Sequence, residues 1–166
     1  MAYLLRAWFE MCRLRVAPQQ LPASTGLLGL AIALYVLVGI AVALPGSGWS
    51  MALLLSVLDL GVMAALTALV LWLWGKPARF NQTLSALAGT GALLGLLALP
   101  LVLMALDPVP AWAGLLWLAL LFWNLAVRGH ILRHALEIPF GMGLLLSAGY
   151  ALVLIWLVRW WLPAPS

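Results

Sequence analysis

Charge is what this sequence has least of. Of its 166 residues only 7% are charged, eight Lys or Arg against four Asp or Glu, with two His beside them. A water-soluble domain carries roughly 25% charged residues, so almost nothing here could cover a solvated surface. Soluble enzymes, nucleic-acid-binding domains and disordered tails are excluded on that ground. Cysteine is nearly absent too. Cys12 stands alone, so the chain can form no internal disulfide and no CxxC pair, and the redox compartment is left open. GxSxG, HExxH and Walker patterns are missing. Four scattered acids provide no cluster for the two metals that membrane phosphotransferases commonly need. A Ser–His hydrolase would have to use His130 or His134, and neither has an evident nucleophile alongside. Catalysis is therefore not expected, and no cofactor is.

What fills the chain instead is apolar: 67% of residues, with a mean hydropathy of +1.18. The reading is an all-α, polytopic integral membrane protein. A helix needs about 20 apolar residues to cross a ~30 Å hydrocarbon core, and five segments qualify or come close: Thr25–Leu44, Met51–Trp74, Leu84–Leu106, Ala111–Val127 and Ile138–Val158. Pro45-Gly46-Ser47-Gly48, Gly75-Lys76-Pro77 and Asp107-Pro108-Val109-Pro110 separate the first four. Charge marks the fourth break, from Arg128 to Glu137. The first span makes a poor cleavable signal, since its apolar run is long and begins only after 24 residues.

Orientation follows from Lys and Arg. Arg6, Arg13, Arg15, Lys76, Arg79, Arg128 and Arg133 fall on one side and only Arg159 on the other, seven against one. This places the N-terminus in the cytoplasm and the C-terminus outside. Those seven residues would form a collar for anionic lipid headgroups or a partner, and no nucleic acid is needed to explain the basic balance. Trp8, Trp49, Trp72, Trp74, Trp112, Trp160 and Trp161 fall near the expected interfaces. Trp117, Trp123 and Trp156 lie deeper and are expected between helices.

Residues 1–20 differ in kind. Leu4, Leu5, Trp8, Phe9, Cys12 and Val16 recur at helical spacing, while Arg6, Glu10 and Arg13 take the other face and are spaced for ion pairs. The pattern predicts an interfacial helix, apolar side down, broken by Pro18 and Pro22. It serves either as an anchor or as a docking surface.

Asp59 is the sharpest single signal. Eight residues past Met51 at ~1.5 Å each put it ~12 Å deep, near the midplane. An acid there costs roughly 2.5–3.5 kcal/mol and must find a partner inside the bundle. Tyr35, Ser147 and Tyr150 lie at similar depth, with Ser56 and Thr67 on the same helix. Asp59 is then either a proton or cation relay or a hydrogen-bonded structural link. A relay normally uses a second titratable group, and the spans offer none. In the third span, Ser85-x-x-x-Gly89 and Gly91-x-x-x-Gly95 are small-xxx-small pairs. They suit close packing within the bundle, a homodimer interface or a hinge, and Pro100 should kink that helix. Asn81-Gln82-Thr83 could cap its start, and Asn124 lies in the inner half of the fourth span.

On a continuous helix His130, His134 and Glu137 would share one face and could hold a divalent metal. Gly129 and Pro139 argue against continuity, and Arg133 is equally well placed to pair with Glu137.

The Pro-containing approach Leu21-Pro22-Ala23-Ser24, the Gly89–Gly95 run and the Leu136–Tyr150 approach to the last span, set in five tightly spaced spans, resemble the Yip family (Ypt-interacting-protein-like membrane proteins) in its bacterial form. The resemblance covers the layout of residues 21–160. The Asp-Leu-Tyr-Gly-Pro signature of eukaryotic members is absent. What the resemblance implies is a non-enzymatic adaptor that binds other membrane proteins or shapes lipid organisation. The function expected is accordingly an accessory subunit of a bacterial inner membrane, docked on another membrane protein and on anionic lipid. The N-terminal helix and the third span would be its contact surfaces. The alternative is a small transporter of protons, solute or lipid that uses Asp59.

Overall fold

Apolar runs long enough to span a bilayer must satisfy their backbone internally, and helices do so residue by residue. The computed structural model describes residues 2–104 and 111–161, and these form six α-helices and no strand. They are α1 (Ala2–Cys12), α2 (Thr25–Ser47), α3 (Trp49–Leu73), α4 (Phe80–Met104), α5 (Ala111–Leu136) and α6 (Phe140–Trp161). α2 to α6 are each long and apolar enough to cross a membrane. Ala105, Leu106 and the predicted break at Asp107–Pro110 lie outside the described residues.

The helix ends are built by local chemistry. Ser24 caps α2, its Oγ accepting the Leu27 amide at 3.4 Å. α1, α3 and α5 end alike: Leu14, Gly75 and Glu137 take φ of 60°, 70° and 61°. The next amide in each case bonds five residues back, Arg15 to Glu10, Lys76 to Leu71 and Ile138 to Arg133. Gly75 adopts this left-handed conformation without steric cost; Leu14 and Glu137 do not.

The expected break after Val127 is not there. α5 runs unbroken to Leu136, and the turn is confined to the few residues before α6. Gly129, which argued for discontinuity, is a crossing point. A Cβ there would come within 3.1 Å of the Leu144 backbone, and one at Gly143 would run into the Gly129 carbonyl. The same small residue that weakens a helix in isolation lets α5 and α6 meet backbone to backbone. Pro45 likewise stays within α2.

α4 is the axis of the bundle, buried continuously from Thr83 to Thr90 and packed most extensively on α2. The small-residue face predicted for it is used, and used within the chain. Gly89 lies under the Trp8 indole, Gly91 under the Tyr35 ring, and Gly95 against Val38. Ser85 is buried on the same helix.

α1 departs most from expectation. It stops at Cys12, short of Val16, and docks Ala7, Trp8, Met11 and Cys12 into the bundle, while Leu5 and Phe9 of its expected apolar side stay exposed. Trp8 and Met11 are 1% and 0% exposed. The gap over Gly89 accepts a whole indole, and close packing of that kind is denser than acyl chains can provide. Trp123 Nε1 donates to the Cys12 carbonyl at 2.8 Å, His130 Nε2 meets the Val16 carbonyl at 3.2 Å, and Gln82 donates to the Leu21 carbonyl at 2.9 Å. Gln82 therefore ties down the N-terminal strap and does not cap α4. Glu10 pairs with Arg13 at 3.4 Å and Arg15 at 4.0 Å, not with Arg6.

Trp49, Trp72, Trp112 and Trp160 are exposed near helix ends, as interfacial residues should be. Of the three expected between helices, Trp156 faces outward against Trp160 at 5.9 Å, whereas Trp117 lines an internal cavity and Trp123, half exposed, is bonded to Cys12. The Trp161 side chain lies outside the described residues.

Candidate functional site

Asp59 sits near the middle of α3, and the bundle surrounds it with donors. Tyr35 of α2 donates its hydroxyl to Asp59 Oδ2, and Tyr150 of α6 donates to Oδ1. Arg128 of α5 completes the cluster. Its Nη2 donates to the Tyr35 hydroxyl at 3.2 Å, and its guanidinium carbon lies 4.3 Å from the centre of the Tyr150 ring. Four helices are thus linked at one point, and the fifth contributes Gly91, whose missing side chain makes room for the Tyr35 ring.

Depth arithmetic identified Tyr35 and Tyr150. It failed for Ser147, whose Oγ makes no hydrogen bond, and for Ser56, which bonds back to the Ala52 carbonyl at 2.8 Å. Arg128 is the larger correction. From the sequence alone it belongs to the headgroup collar, and the spans hold no second ionisable group. The unbroken α5 puts it eight residues before Leu136, ~12 Å inside the bundle. A signal was available: a midplane carboxylate calls for a countercharge, and Arg128 is the cation adjoining an otherwise apolar run. Carboxylate and guanidinium cancel, so the cluster is neutral as a whole, and each group lowers the cost of burying the other.

Two cavities reach this cluster. One, of about 350 Å³, is lined by Val42, Ala98, Trp117, Asn124, Asp59 and Arg128 and extends toward the end of the bundle where α2 meets α3. The other, of about 230 Å³, is lined by Thr67, Val70, Leu132, Ser147, Tyr150 and Arg128 and extends toward the opposite end. Arg128 belongs to both.

At that opposite end lies a second carboxylate cluster. Glu137 accepts from Lys76 Nζ and Arg79 Nη2, both at 2.6 Å. Hydrogen bonds from Lys76 and then Arg79, together with their charges, hold the Glu137 carboxyl below the ordinary glutamate range. The same cations cap α5, Lys76 at the Leu136 carbonyl (3.1 Å) and Arg79 at the Ala135 carbonyl (2.9 Å). Lys76 and Arg79 are therefore structural caps as well as members of the expected collar, while Arg6, Arg13, Arg15 and Arg133 are exposed.

The proposed metal set is not assembled. His130 and His134 meet edge to face at 4.6 Å, but α5 ends before Glu137, whose carboxylate is taken by Lys76 and Arg79. Among the described residues no three potential ligands come together. Cys12, the last residue of α1, is buried against the bundle, which pushes its thiol up to about 11. No protein-family model, curated protein or solved structure matches the chain.

Proposed function

We propose that this chain is a small transporter that moves protons, alone or with a small solute, and that Asp59 is its coupling group. One observation carries the reading: Arg128 lines two cavities that lead from the Asp59 cluster toward opposite ends of the bundle. A neutral ionic cluster with a cavity on either side can be approached from both, as a coupled carrier requires. A proton arriving at Asp59 leaves Arg128 uncompensated, so uptake of a proton favours uptake of an anion beside it. Tyr35 from α2, Tyr150 from α6 and Arg128 from α5 are the titratable or charged groups facing Asp59. With Arg128 inside the bundle, six basic residues against one support an N-terminus in the cytoplasm, and the Yip-like layout supports a bacterial inner membrane.

The test is proton flux in liposomes loaded with a pH-sensitive dye, with potassium and valinomycin to clamp the potential. Flux above that of empty liposomes is expected, and Asp59→Asn should abolish it while the protein stays helical and monodisperse. An Asp59→Asn variant that conducts like wild type would reduce Asp59 to a structural link and sink the reading.

A second reading, the adaptor implied by the Yip-like layout, is supported by the outer edge of α1. Tyr3, Leu5 and Phe9 stay exposed there beside Arg6 and Arg13, an edge suited to anionic lipid or another membrane protein. Purification from native membranes should then bring down one stoichiometric membrane partner, lost in Leu5→Ser/Phe9→Ser. A protein that comes alone counts against this reading.

A further inference from the structure

The cavity between α3, α5 and α6 is walled largely by apolar side chains, among them Met63, Leu66 and Leu132. Two of the residues lining it nevertheless carry a buried donor with no acceptor among the described residues, Arg128 at Nε and Ser147 at its hydroxyl. Ser147 is 1% exposed and lies three residues before Tyr150, whose ring carries the Arg128 guanidinium. Buried donors are nearly always paired in folded proteins, so two unpaired ones on a single cavity wall point to an acceptor that arrives with a ligand. One donor is cationic and neither is an acid, which selects an anion. The rest of the ligand must suit the walls and the mouth. Leu145 and Val153, 73% and 40% exposed, stand at the rim, so the cavity opens sideways onto the lipid-facing surface of the bundle. At about 230 Å³ it is smaller than the usual ~300–1,000 Å³ ligand pocket, enough for a headgroup and the first carbons of a chain.

We propose that this cavity binds a single-chain amphiphile with an anionic head, a carboxylate or a phosphate monoester, its acid group on Arg128 and Ser147 and its tail leaving between α3 and α6 into the bilayer. The inference deepens the transport reading and rests on it for any movement of the ligand; binding itself stands on the cavity. Such an anion would be the partner that balances a proton at Asp59.

The full-length protein in nanodiscs of zwitterionic lipid is titrated separately with radiolabelled laurate, lauryl phosphate and lauryl alcohol. Saturable binding of laurate, lauryl phosphate or both is expected, and which of them binds identifies the head. The alcohol should bind about tenfold more weakly or worse, because it cannot use the guanidinium charge. Ser147→Ala should weaken anion binding about tenfold and leave the alcohol unchanged. Gly149→Leu fills the cavity from α6, where a new Cβ meets nothing within 4 Å, and should abolish binding with the helicity intact. Alcohol bound as tightly as laurate, or Gly149→Leu binding like wild type, overturns the proposal. The liposome assay separates the two ideas: flux without amphiphile binding sinks this one alone, and binding without flux sinks only transport.

Discussion

Two carboxylates in this protein are each held by a pair of donors, yet they are built from opposite materials. Glu137 sits at the end of the bundle, its side chain 62% exposed, between the ammonium of Lys76 and the guanidinium of Arg79. Asp59 lies at mid-span and is gripped by two tyrosine hydroxyls, with its countercharge, Arg128, one hydroxyl further away. At the surface, water and salt screen the charges, so flexible cations serve and the pair contributes little. In the apolar interior a hydroxyl can satisfy a carboxylate without adding charge, and one guanidinium is enough to make the cluster neutral. The comparison shows that burial decides which partners a carboxylate can use, and how much is lost when one is removed.

The largest effect that would test this contrast comes from Asp59→Leu. It leaves Arg128 without a countercharge and both tyrosine hydroxyls without the carboxylate they donate to, and should cost about 3 kcal/mol of stability. Unfolding in mixed dodecylmaltoside–SDS micelles measures the loss, and adding Arg128→Leu should restore part of it. If the double variant is as unstable as the sum of the single ones, the two charges are not coupled. Next come Tyr35→Phe and Tyr150→Phe, each removing one hydrogen bond to the carboxylate, for roughly 1.5–3 kcal/mol apiece. Losses well under those values would mean that water or Arg128 replaces the hydroxyl.

Glu137→Gln should be the mildest of these changes, and high salt should erase its effect on the unfolding midpoint. Its pH dependence has a definite sign. The folded carboxyl titrates below its ordinary value because of Lys76 and Arg79. Its contribution is therefore complete above the unfolded pKa, about 4.3, and fades as pH falls through the lower folded one. The difference between wild type and Glu137→Gln should shrink on acidification below pH ~4. A difference that grows there, or that survives high salt, would place Glu137 in a drier setting than its exposure indicates.

The five spans and the tyrosine partners of Asp59 were legible because each depends on local quantities: the length of an apolar run, the rise per residue, the cost of an acid in lipid. Arg128, Gly129 and Trp8 were misread for one shared reason. Their meaning depends on what faces them. Gly129 reads as a breaker until Gly143 is seen across the α5–α6 contact, and Trp8 reads as interfacial until Gly89 is seen beneath it. Arg128 reads as a surface charge until the helix is known to continue past it.

The sequence by itself determined an all-helical chain with five membrane-length helices, since hydrophobic length and backbone satisfaction in lipid admit little else. It also determined that Asp59 would need company. Only the tertiary structure decided that Arg128 joins the two tyrosines and the serines at that depth do not, that α1 is a packed strap with only its outer edge left exposed, and that two cavities meet at one arginine. Helices this uniformly apolar carry no amphipathic stripe to say which faces meet, so glycine positions and buried polar groups choose the packing, and their choices become visible only once the helices are assembled.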